Sequence, residues 1–160
     1  MNRTNIADPL QIVRCTHAHA PQIAALLYRL YLELDEGDEQ QAAVFLNEEM
    51  IRAILSEGKT VIVAAQDHDQ VIGMITLTEN SALYAGGSYG SIDELYIKPE
   101  YRCRNIGGRL VDEAKKIAGS KGWGRIVVHT PRDNDKWSRT IRFYERNGFD
   151  IIGNVLKFSM

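Results

Sequence analysis

The richest chemistry in this sequence lies in one stretch, Ile92-Asp-Glu-Leu-Tyr-Ile-Lys-Pro-Glu-Tyr-Arg-Cys-Arg-Asn-Ile-Gly-Gly-Arg-Leu110. A β-type run ends near Pro99, and a turn containing Gly107 and Gly108 opens a helical pattern. A helix start presents N–H groups with no intrahelical partner together with a partial positive charge, which suits phosphate or pyrophosphate. Glycine lets a ligand approach the backbone closely, and Arg102, Arg104 and Arg109 add cations around the same turn. The same features also describe a plain strand-to-helix corner with solvated arginines. Two familiar phosphate motifs are absent, since the segment has neither the G-K-[ST] ending of a P-loop nor a G-x-G-x-x-G.

Other reactive side chains receive plainer readings. His17 and His19 form an H-x-H pair, but no third ligand is near in sequence, which favours solvated histidines over a metal site. His129, at the end of a strand pattern, either lines a cleft or caps it. Cys15 and Cys103 match neither a disulfide framework nor a zinc ligand set. Cys103 stands close to the positive end of a helix dipole, but a nucleophilic role would require a histidine partner, so it is read as incidental. Tyr28 and Tyr31 read as helix-face packing.

The elements that must hold this turn follow from periodicity. Residues 11–14 suit a short first strand. Pro21 suits a first helical turn, and Ile23, Leu26, Leu27, Leu30 and Leu34 recur at helical spacing. The acidic segment Glu33, Asp35, Glu36, Asp38 and Glu39, broken by a glycine, separates this from a second helical pattern with Phe45, Leu46, Met50, Ile54 and Leu55 that ends at Gly58. Runs 60–65 and 71–77 flank a polar turn and predict a hairpin. A Gly/Ser/Tyr-rich loop, 81–90, leads to a strand at 91–97. Leu110, Val111, Ala114, Ile117 and Ala118 mark a helix after the turn. A short strand at 126–128 and a polar loop, 131–136, precede a helix with Trp137, Ile141, Phe143 and Tyr144. Asn147-Gly148 predicts a left-handed stop, and 149–152 and 155–158 a closing hairpin around Gly153-Asn154.

The expected order is βααβββαβαββ, an α/β (α+β mixed-sheet) arrangement. The chain's 160 residues make one ordinary domain, taken as residues 1–160. Hydrophobic content of 44% and charged content of 25% fit a globular protein and exclude disordered, collagenous and membrane classes. A net charge of −2 gives no electrostatic footprint for nucleic acid. The segment MNRTNIADPLQ lacks the apolar core of a signal peptide, and the expectation is a cytoplasmic protein without a membrane span.

The stretch Arg102-Cys103-Arg104-Asn105-Ile106-Gly107 resembles the acetyl-CoA-binding motif [Q/R]-x-x-G-x-[G/A] of the GNAT superfamily of N-acetyltransferases. The preceding ELYIKPEYR is similar to that family's strand and turn, and Phe143-Tyr-Glu-Arg-Asn-Gly-Phe149 to its F-Y-E-K-x-G-F element. Two motifs in the family's order, within a matching element order, extend the resemblance over nearly the whole chain. It departs from the pattern at Asn105 and Cys103, where the family favours glycine, and at Trp137, where the family often has asparagine. Asparagine is the non-glycine residue best suited to left-handed backbone.

The resemblance implies a central mixed, mostly antiparallel, twisted sheet flanked by helices, and acetyl-CoA as co-substrate with no metal. It places the cofactor against Leu95, Tyr96, Ile97, Arg102, Cys103, Arg104, Asn105, Ile106, Gly107, Gly108, Trp137 and Tyr144. Tyr144 becomes the general acid for the leaving thiolate, and backbone N–H groups near Leu95 to Ile97 meet the oxyanion. A carboxylate must accept the acceptor's proton, and Glu94 is favoured slightly over Asp93. Strand alternation would point these two side chains to opposite faces, so that one of them faces the substrate. The acceptor is expected to be a small, cationic primary amine, with the acidic segment after the first helix steering it. A peptide N-terminus, a non-catalytic acyl-CoA-binding module and a homodimer are left open; Tyr144 together with Glu94 favours an enzyme.

Overall fold

In the computed structural model, which describes residues 10–34, 38–130 and 137–153, the β-branched runs build one five-stranded sheet. Its strands are β1 (Leu10–Arg14), β2 (Thr60–Asp67), β3 (Gln70–Ala82), β4 (Gly87–Ile97) and β5 (Ile126–Val128). They lie in sequence order, antiparallel throughout except for the parallel pair β4–β5. A parallel pair needs a crossover, and α4 (Ile106–Lys121) supplies it. The remaining helices are α1 (Ala20–Leu34), α2 (Glu39–Ala43), α3 (Glu48–Glu57) and α5 (Ser138–Arg146).

Period-two alternation sends the two faces of the sheet to two apolar layers. Ile62, Ala64, Met74 and Tyr96 pack with Ile23, Leu26, Leu27 and Ile51 of α1 and α3. Val63, Ile75, Leu77 and Ile92 pack with Leu110, Val111, Ala114 and Ile117 of α4, and Tyr144 of α5 joins them. Each fully buried leucine or isoleucine stabilises these layers by roughly 1.5–3 kcal/mol.

Three expectations change. The second helical pattern splits, because Asn47 caps α3 by accepting from the Met50 N–H at 2.9 Å; Phe45 and Leu46 therefore fall in the α2–α3 connection. Most of the expected loop 81–90 is hairpin, with the β3–β4 ladder continuing to Ala82↔Gly87, since backbone pairing there does not depend on side-chain character. Residues 149–152 form no strand, as no described segment offers them a ladder. The predicted partner 155–158, the loop 131–136, and Asp35 and Glu36 lie outside the described residues.

Candidate active site

The β3–β4 ladder slips at one place, where Ile75 faces Leu95 but Leu77 faces Ile92. Asp93 and Glu94 thus stand together opposite the single residue Thr76, a β-bulge. The slip cancels the alternation expected between them. Both carboxylates face α1 and α3, and the opposite-face expectation is corrected. The Thr76 hydroxyl donates to Glu94 Oε2, and the Thr78 hydroxyl to Asp93 Oδ2. Tyr31 Oη donates to Glu94 Oε1 at 3.4 Å, Ser91 Oγ to Asp93 Oδ1 at 2.8 Å, and the Glu94 N–H to Thr76 Oγ1 at 2.8 Å. Burial, reinforced by the Asp93 charge, raises the Glu94 pKa above the ordinary carboxylate value, against hydrogen bonds from Thr76 and Tyr31 that lower it.

The acidic pair forms the floor of a cleft of ≈ 360 Å³ walled by Leu27, Phe45, Met50, Ile51, Ile54 and Ile62. The Tyr31 and Phe45 rings stack beside it, with centroids 3.6 Å apart and planes within 7°.

The β4–β5 ladder stops at Ile92↔Val128, so β4 beyond that point has an open edge among the described residues. The Lys98 and Glu94 N–H groups point toward β3. By alternation the Leu95 and Ile97 N–H groups point to the open edge, while that of Tyr96 points back to β3. The Ile97 carbonyl agrees, since it accepts from Arg102 Nε at 2.9 Å.

At the turn, Cys103 and Asn105 both adopt left-handed backbone, with φ of 63° and 55°. Asn105 precedes α4 without a side-chain cap bond, whereas Asp38 and Asn47 cap α2 and α3 with theirs. The first intrahelical bond of α4 is Arg109 N–H to the Asn105 carbonyl at 3.2 Å. That leaves the N–H groups of Ile106, Gly107 and Gly108 without an intrahelical acceptor. A Cβ at Gly108 would lie 2.4 Å from Asn105 Oδ1, so any side chain there must displace the Asn105 amide from the cradle.

The arginines around the turn have other duties. Arg102 Nη2 donates to both carboxylate oxygens of Glu33 at 2.9 Å, and its guanidinium lies 5.5 Å from the centroid of the Tyr96 ring. Tyr96 Oη also donates to Glu33, at 2.9 Å. Arg104 lies over the Tyr101 ring, and Arg109 donates to the Leu10 carbonyl at 3.1 Å. Of the three arginines expected around the turn, Arg102 and Arg109 are therefore braces beside the backbone N–H donors, and Arg104 rests on a ring. The acidic segment is likewise committed in part, because Glu33 is paired and Asp38 accepts from the Gln40 and Gln41 N–H groups.

Tyr144 is buried between Phe143 and Phe149, whose rings meet its own edge-on at 5.2 and 5.4 Å. Burial pushes its phenol well above the ordinary value, so it stays protonated across neutral pH. Tyr144 belongs to the α4-side layer and Glu94 to the α1/α3 side. The open edge of β4 lies between the two faces. Trp137 stands at the start of α5, half-buried and without a cap bond from its indole.

The remaining candidates stand apart from this site. His17 shares a hydrogen bond with Ser56 Oγ, and His19 accepts the Thr16 N–H, so the pair does not converge. His129 is exposed just beyond β5. Cys15 is partly buried, with its thiol pushed up to about 12 by burial, while Cys103 is exposed. Tyr31, Phe45, Thr76 and Thr78 join the site without a strong sequence signal. Asp93-Glu94 between Ile92 and Leu95 is a break in strand periodicity that marks the bulge.

Comparison with known proteins identifies the family and the fold. Residues 24–149 match the sequence profile of the Acetyltransferase (GNAT) family. The chain is 27% identical over 127 residues to the uncharacterized N-acetyltransferase YhfO of Bacillus subtilis (strain 168), covering 79% of this chain and 83% of that one. Its fold is similar to that of an aminoglycoside acetyltransferase from an uncultured soil metagenomic sample, with 17% identity, 98% of each chain covered and a TM-score of 0.75. It is also similar to a GCN5-related N-acetyltransferase from Ralstonia eutropha JMP134, with 16% identity, 94% and 98% covered and a TM-score of 0.77.

Proposed function

The chain belongs to the acetyltransferase (GNAT) family, an enzyme family that uses acetyl-CoA, and from that premise we propose that it acetylates the primary amine of a small cationic acceptor by direct attack. The observation that carries this reading is the bulge, which sets two adjacent carboxylates at the floor of an apolar cleft next to the open edge of β4.

Acetyl-CoA supplies the acetyl group as a thioester. The residues present suit it. Bare N–H groups from Ile106 to Gly108 offer an anion site, and the Leu95 and Ile97 N–H groups along the open edge offer donors to an extended arm and a developing oxyanion. Arg104 is the arginine of the turn positioned to add charge, while Arg102 braces the turn from the side of Glu33. Cys103 and Asn105 shape the loop through their backbone.

An alkyl amine of pKa ~10.4 is neutral only about once in 2,500 molecules at pH 7, equivalent to ~4.6 kcal/mol. Glu94 takes this proton, and its raised pKa makes it a stronger base than an ordinary carboxylate. Asp93 holds the incoming cation, and its charge adds to the burial that raises the Glu94 pKa. Tyr144 holds its proton at Oη for the leaving group.

The net charge of −2 offers no surface for nucleic acid, and among the described residues no helix is long and apolar enough to cross a membrane. We place the enzyme in the cytoplasm, acting on a small molecule as a monomer or homodimer. The test is thiol release from acetyl-CoA with a panel of primary amines, in wild type and Glu94→Gln. Turnover that collapses in the variant supports the assignment, and an unchanged rate removes Glu94 from it.

A further inference from the structure

Resting on the reading above, we propose that the acceptor is a monoamine with an apolar alkyl or aryl body, and not a polycation or a polyhydroxylated amine. The cleft above Asp93 and Glu94 is walled by six apolar side chains, and its ≈ 360 Å³ lies at the small end of the roughly 300–1,000 Å³ typical of ligand pockets.

Its other polar groups are already engaged. Thr60 and Thr78 share a hydroxyl–hydroxyl contact at 3.0 Å, Thr78 donates to Asp93, and Thr76 donates to Glu94. Hydroxyls or extra ammonium groups along an acceptor would meet methyl and methylene surface there and lose their water without replacement. The one anionic locus of the described wall is the Asp93–Glu94 pair, enough for a single ammonium group. A second anionic subsite does not form from Glu33 or Asp38, since Arg102 neutralises the first and the α2 N–H groups occupy the second. The stacked Tyr31–Phe45 pair gives the wall a flat aromatic element beside Glu94, to which Tyr31 itself donates.

The experiment measures thiol release with propylamine, butylamine, hexylamine and phenethylamine, against spermidine and kanamycin. The kcat/KM should rise about fourfold per added methylene along the alkyl series, and the apolar amines should exceed both polycations by at least about tenfold. Calorimetry on coenzyme A-saturated protein should give the same ranking of affinities without turnover. Ile54→Asp and Met50→Gln, at partly exposed wall positions, should flatten the chain-length dependence while leaving the KM for acetyl-CoA unchanged. A preference for spermidine or kanamycin, or a flat alkyl series in wild type, overturns the apolar-acceptor inference and leaves acetyl transfer standing. Protein that binds acetyl-CoA yet releases thiol with no amine overturns the reading of the site, and this inference with it.

Discussion

Gly107, in the first turn of α4, lies against the ring of Phe143 in α5, so closely that a Cβ there would come 3.1 Å from Cζ and 3.2 Å from Cε2. Phe143 in turn meets Tyr144 edge-on. The helix start that offers anion-binding N–H groups and the helix that carries the proton donor are therefore mated at a glycine.

A Gly107→Val enzyme should consequently lose more than cofactor affinity. The side chain forces α5 away, at about 1–3 kcal/mol of overpacking, and kcat falls along with acetyl-CoA affinity. Gly108→Ala is the more selective variant, since it displaces only the Asn105 side chain. Its KM for acetyl-CoA should rise on the order of tenfold or more with melting close to wild type. Thermal melts and steady-state kinetics on both variants check the pair.

Glu94→Gln should lower kcat by ~10²–10⁴-fold, with partial recovery at high pH where the amine sheds its proton unaided. The same variant should be at least as stable as wild type. The raised Glu94 pKa means that the folded protein holds a proton the unfolded chain has released, so wild-type stability falls as pH rises from the ordinary carboxylate pKa through the folded value. Glutamine removes that loss, and the Thr76 and Tyr31 hydroxyls can rotate to suit it. The melting difference in favour of the variant should grow as pH rises above the ordinary carboxylate range, about 4. Asp93→Asn removes a charge that raises the Glu94 pKa, and should move the acid limb of the pH–rate profile to lower pH.

Tyr144→Phe should depress kcat by ~10²-fold or more while acetyl-CoA KM changes little. Because burial holds the phenol well above its ordinary value, the wild-type rate should not decline through pH ~10 from this group. A pH–rate profile in both proteins separates proton donation from packing.

Arg102→Ala distinguishes a brace from a phosphate ligand. The Arg102–Glu33 pair is about half exposed on each side, so its loss should cost no more than ~1 kcal/mol and raise the acetyl-CoA KM only a few-fold. A far larger rise in KM would place the guanidinium on the cofactor.

Much of this was legible in the chain. Helical spacing of Leu110, Val111, Ala114 and Ile117 marks α4, and the β-branched runs mark β2 and β3, because burial of one face imposes a period. Asn105 reads correctly as a left-handed residue, and Cys103 shares that conformation without the side chain that favours it. The bulge escaped because strict alternation assumes an unbroken ladder, although Asp93-Glu94 between two apolar residues breaks the period. The pairing of Arg102 with Glu33 spans 69 residues and depends on where α1 ends against β4, which no local pattern encodes. The apolar wall of the cleft is equally non-local, assembled from α1, the α2–α3 connection, α3 and β2.

The contrast between the two cysteines makes the turn observable. Alkylating reagents attack the thiolate, and the Cys15 thiol, pushed up to about 12 by its burial, has almost none at neutral pH. Cys103 is exposed on the loop that would wrap the cofactor. An environment-sensitive maleimide fluorophore should therefore attach at one position in the unmodified native protein, and its emission would report occupancy of the turn in a titration, with no engineered label.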